Sequence, residues 1–241
     1  VSTGATILVV CAVLAGALTQ RATGLGFALV AAPFLVVIAG PETGVSLGNT
    51  LSAMLCAVVL ARTWRHTWWR QAAALAVPAA IAVPLGALVV HSLPAGPLLV
   101  LVGAMGMAAV AMVVVSGRRS PLRGRAGLVT AGSLSGFMNV TAGVGGPMVT
   151  AYALSQGWSR EVFVPTVQVY LLFLNVVSVA TKGLPVLAPG EWALCSGALL
   201  VGVVAGELVN RRLTPEAGRR FIIAVALAGG AAAVIRGAVE W

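Results

Sequence analysis

Apolar residues fill the chain in long runs separated by short polar joints. Six of these runs, near 43–61, 71–90, 97–115, 162–181, 192–209 and 221–237, approach the roughly 20 residues that a helix needs to cross a bilayer core. Two further stretches, 4–40 and 126–156, are apolar but interrupted. The order is the same in both halves: one broken stretch, then three spans. Pro41, Pro94, Pro97, Pro121, Pro185, Pro189 and Pro215 stand at the joints, as expected where helices start or stop. Pro78, Pro84 and Pro165 fall within spans or at their starts and predict kinks, which neighbouring helices and Ser or Thr side chains accommodate in lipid.

The interruptions are alike. Ala22-Thr23-Gly24-Leu25-Gly26-Phe27 recurs as Thr141-Ala142-Gly143-Val144-Gly145-Gly146, so that both glycine pairs are 119 residues apart. Asn49 and Gln168 keep that offset of 119, and Gly86 and Leu93 fall on Gly206 and Leu213 after a one-residue gap. In a chain this rich in Ala, Gly, Val and Leu a single match carries little weight, whereas shared order and spacing point to a duplication. The reading is a first membrane repeat over 1–116, a basic linker over 117–125 and a second repeat over 126–241. Repeated halves with broken apolar segments mark a transporter's binding site.

Composition settles the class, because 241 residues with 59% hydrophobic, 9% charged and a mean hydropathy of +1.02 exclude a water-soluble domain with a polar exterior. The runs are too many for a signal peptide followed by a soluble body, and a chain beginning at Val1 is expected to be a processed or trimmed form. Cys11, Cys56 and Cys195 lie in separate apolar runs without disulfide or zinc spacing, and read as small packing residues.

The net charge of +9 sits in short loops. Arg62, Arg65 and Arg70 occupy one, Arg118, Arg119, Arg123 and Arg125 a second, and Arg211, Arg212, Arg219 and Arg220 a third. The positive-inside rule makes all three cytoplasmic. Trp64, Trp68 and Trp69 read as headgroup anchors rather than base-stacking platforms, and no basic face of a soluble module argues for nucleic acid. For the second and third basic loops to share a side, the broken stretch between them must cross an even number of times. A stretch of about 31 residues is long for one crossing and short for two, which suits a hairpin that dips in and returns. Each half then crosses an odd number of times, and the two insert with opposite orientation. The fold class is therefore all-α, a polytopic membrane protein of two homologous halves in inverted repeat, each with a Gly-broken or re-entrant helix plus three transmembrane helices.

The run Gly143-Val144-Gly145-Gly146-Pro147, a polar-edged span after it and Gly-x-x-x-Gly-type packing, twice over, resemble the sulfite exporter TauE/SafE family. The loop with Arg62, Arg65 and His66 is similar too, as are the turns Leu93-Pro94 and Leu213-Thr214-Pro215. The resemblance covers nearly the whole chain and is most specific in the second glycine cluster. The first half departs from the family's fuller glycine run, carrying only Gly24 and Gly26 beside Leu25 and Phe27. The resemblance implies a multi-pass carrier of the cell inner membrane for sulfite, sulfonates or related small organosulfur anions, generally an exporter.

The chemistry of the residues agrees with that. A helix broken in lipid leaves backbone groups unpaired at several kcal/mol each, tolerated where they line a cavity or meet a ligand. Gly24, Gly26, Gly143, Gly145 and Gly146 let the backbone approach an anion, and a helix starting there aims free N–H groups at it. Thr19, Gln20, Arg21, Thr23, Asn139 and Thr141 offer donors, although Gly and Thr in membrane helices also serve as packing surfaces. Arg21 is a permanent cation between apolar segments and needs a partner: a bound anion, break-point carbonyls, or a snorkel to the surface. Asn49 and Gln168, with Thr50, Ser52, Thr166 and Tyr170 beside them, face inward as ligands or as caps of the broken helices. Gly103, in an unbroken span, is expected to tolerate Leu.

An enzyme is not expected, since the chain has no Asp, its Glu residues lie in loops or near span ends, and His66 and His91 fall on opposite sides. Glu207 is the one carboxylate placed within a span for coupling, and reads instead as an interfacial salt-bridged residue. No cofactor or metal is called for. The expected partners are a small anion and the bilayer, with a homo-oligomer left open. A passive anion channel or a membrane-embedded assembly component is the alternative.

Overall fold

The computed structural model describes residues 3–23, 26–119, 122–210 and 215–240. Within them lie α1 (Thr3–Thr23), α2 (Gly26–Ala39), α3 (Pro41–Thr63), a short 3-10 turn (Trp64–His66), α4 (Trp69–Ser92) and α5 (Ala95–Arg119). The second half supplies α6 (Gly124–Ala142), α7 (Gly146–Ser155), α8 (Arg160–Lys182), α9 (Pro189–Asn210) and α10 (Pro215–Val239). All six spans read from the apolar runs fall inside α3, α4, α5, α8, α9 and α10, and six helices are long and apolar enough to cross a membrane. The two interrupted stretches are the pairs α1–α2 and α6–α7. α4 runs through Pro78 and Pro84, α8 through Pro165 and α2 through Pro33.

The arms of the broken pairs are unequal. At 1.5 Å per residue α1 is about 31 Å long and α7 about 15 Å. Gly26 packs where an added Cβ would lie 2.7 Å from the carbonyl carbon of Thr19, so α2 folds back tightly on α1.

Polarity is arranged for lipid. Val77, Ile81, Leu85 and Leu88 line an outward stripe of α4 with 61–69% exposure, while Asn49, Asn139, Gln168 and Asn175 are buried. Helix pairing has a regular pattern: α4 packs along α6 and α9 along α1, while α3 pairs with α8 and α5 with α10. Exchanging α1–α5 for α6–α10 interchanges the first two of these pairs and maps each of the other two onto itself. Cys56 and Cys195 are buried packing residues as expected, whereas Cys11 is exposed.

The antiparallel α5–α10 contact is glycine-mediated: a Cβ on Gly103 would lie 2.5 Å from Gly230 O, and one on Gly96 2.8 Å from Glu240 O. This corrects the expectation that Gly103 tolerates Leu, because the backbones touch where only a hydrogen fits. Gly103→Leu should sharply lower the yield of monodisperse protein, while Gly106→Leu, whose Cβ enters open space, leaves it unchanged in size-exclusion chromatography.

Contacts sort the joints into two ends. At one, the Trp68 N–H donates to Thr166 Oγ1 at 3.0 Å, Trp68 meets Trp158 edge-on at 5.6 Å, and Ser155 Oγ donates to Leu122 O. At the other, Ser46 Oγ donates to Gly183 O at 2.6 Å, His91 lies 3.9 Å from Glu42, and Arg236 donates to Val37 O. Arg62, Arg65, Arg70, Arg123 and Arg125 belong to the first, basic end, and antiparallel pairing with α5 brings the start of α10 there too. Arg211 and Arg212 lie outside the described residues.

Candidate functional site

The second break is built by its glycines. α6 ends at Gly143 in the left-handed region (φ 72), whose N–H donates to Asn139 O at 2.9 Å while that of Val144 donates to Met138 O at 3.3 Å. A positive φ costs a non-Gly residue about 1–2 kcal/mol, so glycine is the natural stop. The chain restarts at Gly146 with Pro147 in the first turn of α7, and Ser135 Oγ donates to Gly145 O at 2.6 Å, clasping the break to α6.

A buried amide and hydroxyl network surrounds it. Asn139 Nδ2 donates to Asn175 Oδ1 at 3.2 Å and to Ser178 Oγ at 3.1 Å. Asn175 Nδ2 in turn donates to Ser52 Oγ at 2.9 Å, and Asn49 Nδ2 to Asn139 O at 3.2 Å. α3, α6 and α8 are thereby joined through polar groups at the level of the break. Asn49 Oδ1 is buried and has no hydrogen-bond partner among the described residues; an added Cβ on Gly143 would lie 3.4 Å from it. Lys182 Nζ reaches back to donate to Val140 O at 2.8 Å.

At the first break Gln20 Oε1 accepts from the Phe27 N–H at 3.0 Å, capping the start of α2, and Thr19 Oγ1 donates to Gly16 O at 2.8 Å. Gly24 lies outside the described residues, and so do the side chains of Arg21 and Thr23, which occupy the last turn of α1.

Two cavities share Gln20 as a lining residue here. A small one of 20 Å³ is lined by Gln20 and Ala28 of the first broken pair, by Gly143, Gly145 and Gly146 of the second, and by Ser52 and Asn139. A larger one of 310 Å³ opens beside Trp158 and the exposed Arg160, and reaches inward to Gln168 and to the same Gln20. It is a vestibule on the basic end.

Of the residues singled out in the sequence, Asn49, Asn139, Gly143, Gly145 and Gly146 come together at the second break, and Gln168 lines the vestibule. Thr50 Oγ1 donates to Ser46 O at 2.8 Å along its own helix. Thr141 turns towards α5, donating to Phe137 O at 2.7 Å with Met105 Sδ at 3.2 Å. Tyr170 is buried with its hydroxyl 3.5 Å from Gly132 O, in the core that α8 shares with α4 and α6. Ser52 stood beside Asn49 in the sequence, but Ser135, Arg160, Asn175, Ser178 and Lys182 were not singled out. A signal existed: Gln168, Asn175, Ser178 and Lys182 recur at spacings of 7, 3 and 4 on one face of α8.

A protein-family model described as sulfite exporter TauE/SafE matches residues 8–233. No curated protein and no solved structure matches the chain.

Proposed function

The chain belongs to the sulfite exporter TauE/SafE family, a membrane transporter family, and from that premise we propose that it is a secondary transporter exporting small sulfur-containing anions such as sulfite or organosulfonates across the cell inner membrane. The observation that carries this is the small cavity touched by both broken pairs. The anion is held there by the start of α7 at Gly145 and Gly146, by Asn139 and Ser52, and from the first break by Gly24, Gly26, Thr23 and Arg21. Asn49, Thr50, Thr141, Gly143, Gln168 and Tyr170 shape and brace that site. A cavity of 20 Å³ holds about one water and no sulfo group, so the breaks separate during each cycle. The vestibule is the entry, with Arg160 at its mouth drawing anions in from the basic end. Asn49 Oδ1, an acceptor without a donor among the described residues, favours a ligand that carries a proton, such as hydrogensulfite or an aminosulfonate.

The test is a thermal-stability panel on the purified protein with sulfite, sulfate, thiosulfate, taurine, sulfoacetate and simple carboxylates. Sulfur oxyanions should stabilise and carboxylates should not; a flat response across the panel ends the reading. Arg21→Gln should weaken the best anion about ten- to hundredfold, the loss of one charge-assisted contact of about 1.5–3 kcal/mol, with partial rescue by Arg21→Lys. Calorimetry decides it. Unchanged affinity with lowered stability would make Arg21 a structural residue.

We further propose that the chain is built of two repeats, 1–116 and 126–241, inserted with opposite orientation. The helix pairing, which is preserved when the halves are exchanged, supports the repeat, and the gathering of the basic joints at one end supports the opposite orientation. Single cysteines placed in 62–70, 116–125 and 210–220, on a background lacking the native cysteines, should all resist an impermeant maleimide applied to intact cells. Reaction at 210–220 alone would restore a parallel repeat. The polar stripe along α8 favours a passive channel as the second reading; steady anion conductance in planar bilayers would establish it, and a carrier shows none.

A further inference from the structure

Lys182 is a cation at the far end of the polar stripe along α8. It ends α8, lies 36 residues beyond Gly146 at the nearer glycine break, and is half-buried in the wall of a 160 Å³ cavity at the end opposite the basic loops. Its ammonium has three donors and spends one on Val140 O, a carbonyl in the last turn of α6 and the residue next to Asn139. That contact uses the negative end of the α6 dipole. It does not neutralise the charge. No carboxylate lies within ion-pairing distance of Lys182 among the described residues; Glu42 shares the cavity, but its carboxylate is 63% exposed and sits 3.9 Å from His91.

A half-buried cation with donors to spare and its neighbouring carboxylate beyond ion-pairing distance is well placed to take up the charge of a ligand. The cavity offers the means. At about 10–15 Å³ of accessible space for one water, its 160 Å³ has room for a small oxyanion with some of its hydration, which the central cavity lacks. The wall adds Thr43 and His91 to Lys182, and the Ser46–Gly183 bond holds the end of α8 against α3 beside them.

Resting on the proposed carriage of small anions, the geometry points to a second oxyanion site in this cavity: a release station on the outer side, with Lys182 as its cation and Glu42 as the charge that keeps its affinity low. An ammonium is a point charge without the fork that fixes a sulfonate's orientation, which suits brief occupancy by any small sulfur oxyanion. The link to the centre is short, since Lys182 holds Val140 while the adjacent Asn139 anchors the network around the break.

The test uses the full chain in intact cells, with Leu184→Cys as reporter on a background lacking Cys11, Cys56 and Cys195. Leu184 lines the cavity and is 68% exposed. Labelling by an impermeant maleimide from outside is timed in methanesulfonate against chloride at equal ionic strength. Methanesulfonate should slow labelling. Lys182→Gln should raise the half-protecting concentration at least about tenfold, the loss of one charge-assisted hydrogen bond. Glu42→Gln should lower it severalfold, and it decides the matter if Lys182→Gln fails to accumulate, because Glu42 is at the surface. No protection, protection unchanged in Lys182→Gln, or protection unchanged in Glu42→Gln each overturns the site. Failure of the glycine-break reading is seen separately, as transport that survives Gly145→Leu, and it leaves the labelling result intact.

Discussion

Gly145→Leu abolishes transport when compared at equal amounts of protein in the membrane. The reason lies in what a side chain there would meet: an added Cβ sits 2.9 Å from Asn139 Cβ, 3.0 Å from Ser135 O and 3.1 Å from Asn139 Oδ1. Those are the groups that clasp the break and anchor the network. Even Ala pushes Asn139 away from Asn175 and Ser178, and Leu adds more carbon than the adjoining 20 Å³ cavity has space for. Gly145→Ala should therefore cut initial rates more than about tenfold, equivalent to about 1.4 kcal/mol, and Leu should leave nothing measurable. The comparison is Gly106→Leu, whose added Cβ meets nothing within 4 Å and whose rate should equal that of the parent. Uptake of the best-stabilising anion into proteoliposomes of matched protein content measures it. Wild-type rates in Gly145→Leu would remove the second break from the transport path.

The spans were legible because crossing a bilayer imposes length and hydrophobicity on contiguous residues, and proline marks the ends. The second break was legible for a related reason. Gly143 at positive φ, Gly145 in close contact and Pro147 at the start of α7 are local requirements written in adjacent positions. What surrounds the break is set by rotational phase and by partners distant in sequence. Thr141 stands inside the motif yet faces Met105, because its place on the α6 helix turns it towards α5. Lys182 stands far from the motif yet reaches Val140, because a long flexible stem carries its charge to a carbonyl on another helix. Gly103 looked dispensable because nothing in α5 announces that Gly230 lies across from it. The stripe Gln168, Asn175, Ser178 and Lys182 was the recoverable clue: polar residues at helical spacing in an apolar span belong on one buried face.

Asn139 allows the polar network to be tested for function apart from stability, because two substitutions there should diverge. Asn139→Leu removes the donor to Asn175 Oδ1 and Ser178 Oγ and strands a buried amide oxygen, at about 1–3 kcal/mol. It should lower the melting temperature, and anion binding falls with the fold. Asn139→Asp keeps the shape. The Asn175 amide can turn over to present its Nδ2 to the new carboxylate, with the Ser52 hydroxyl rotating to donate to the Oδ1 that replaces it, and Ser178 can donate as well. The bond from Asn49 Nδ2 runs to the backbone oxygen of residue 139 and is untouched in either variant. What the carboxylate adds is a negative charge in the wall of the small cavity. At an effective dielectric of about 20, a like charge roughly 6 Å away costs about 3 kcal/mol, or more than about a hundredfold in affinity. Asn139→Asp should thus keep the fold, become more heat-stable as the pH falls and the buried acid is protonated, and lose methanesulfonate binding at neutral pH. It should regain binding as the pH falls, since the protonated acid is again a neutral donor; methanesulfonate itself stays ionised across that range. Thermal unfolding with and without the anion reads both quantities in one experiment. Full anion-dependent stabilisation of Asn139→Asp at neutral pH would mean that the transported anion does not pass Asn139.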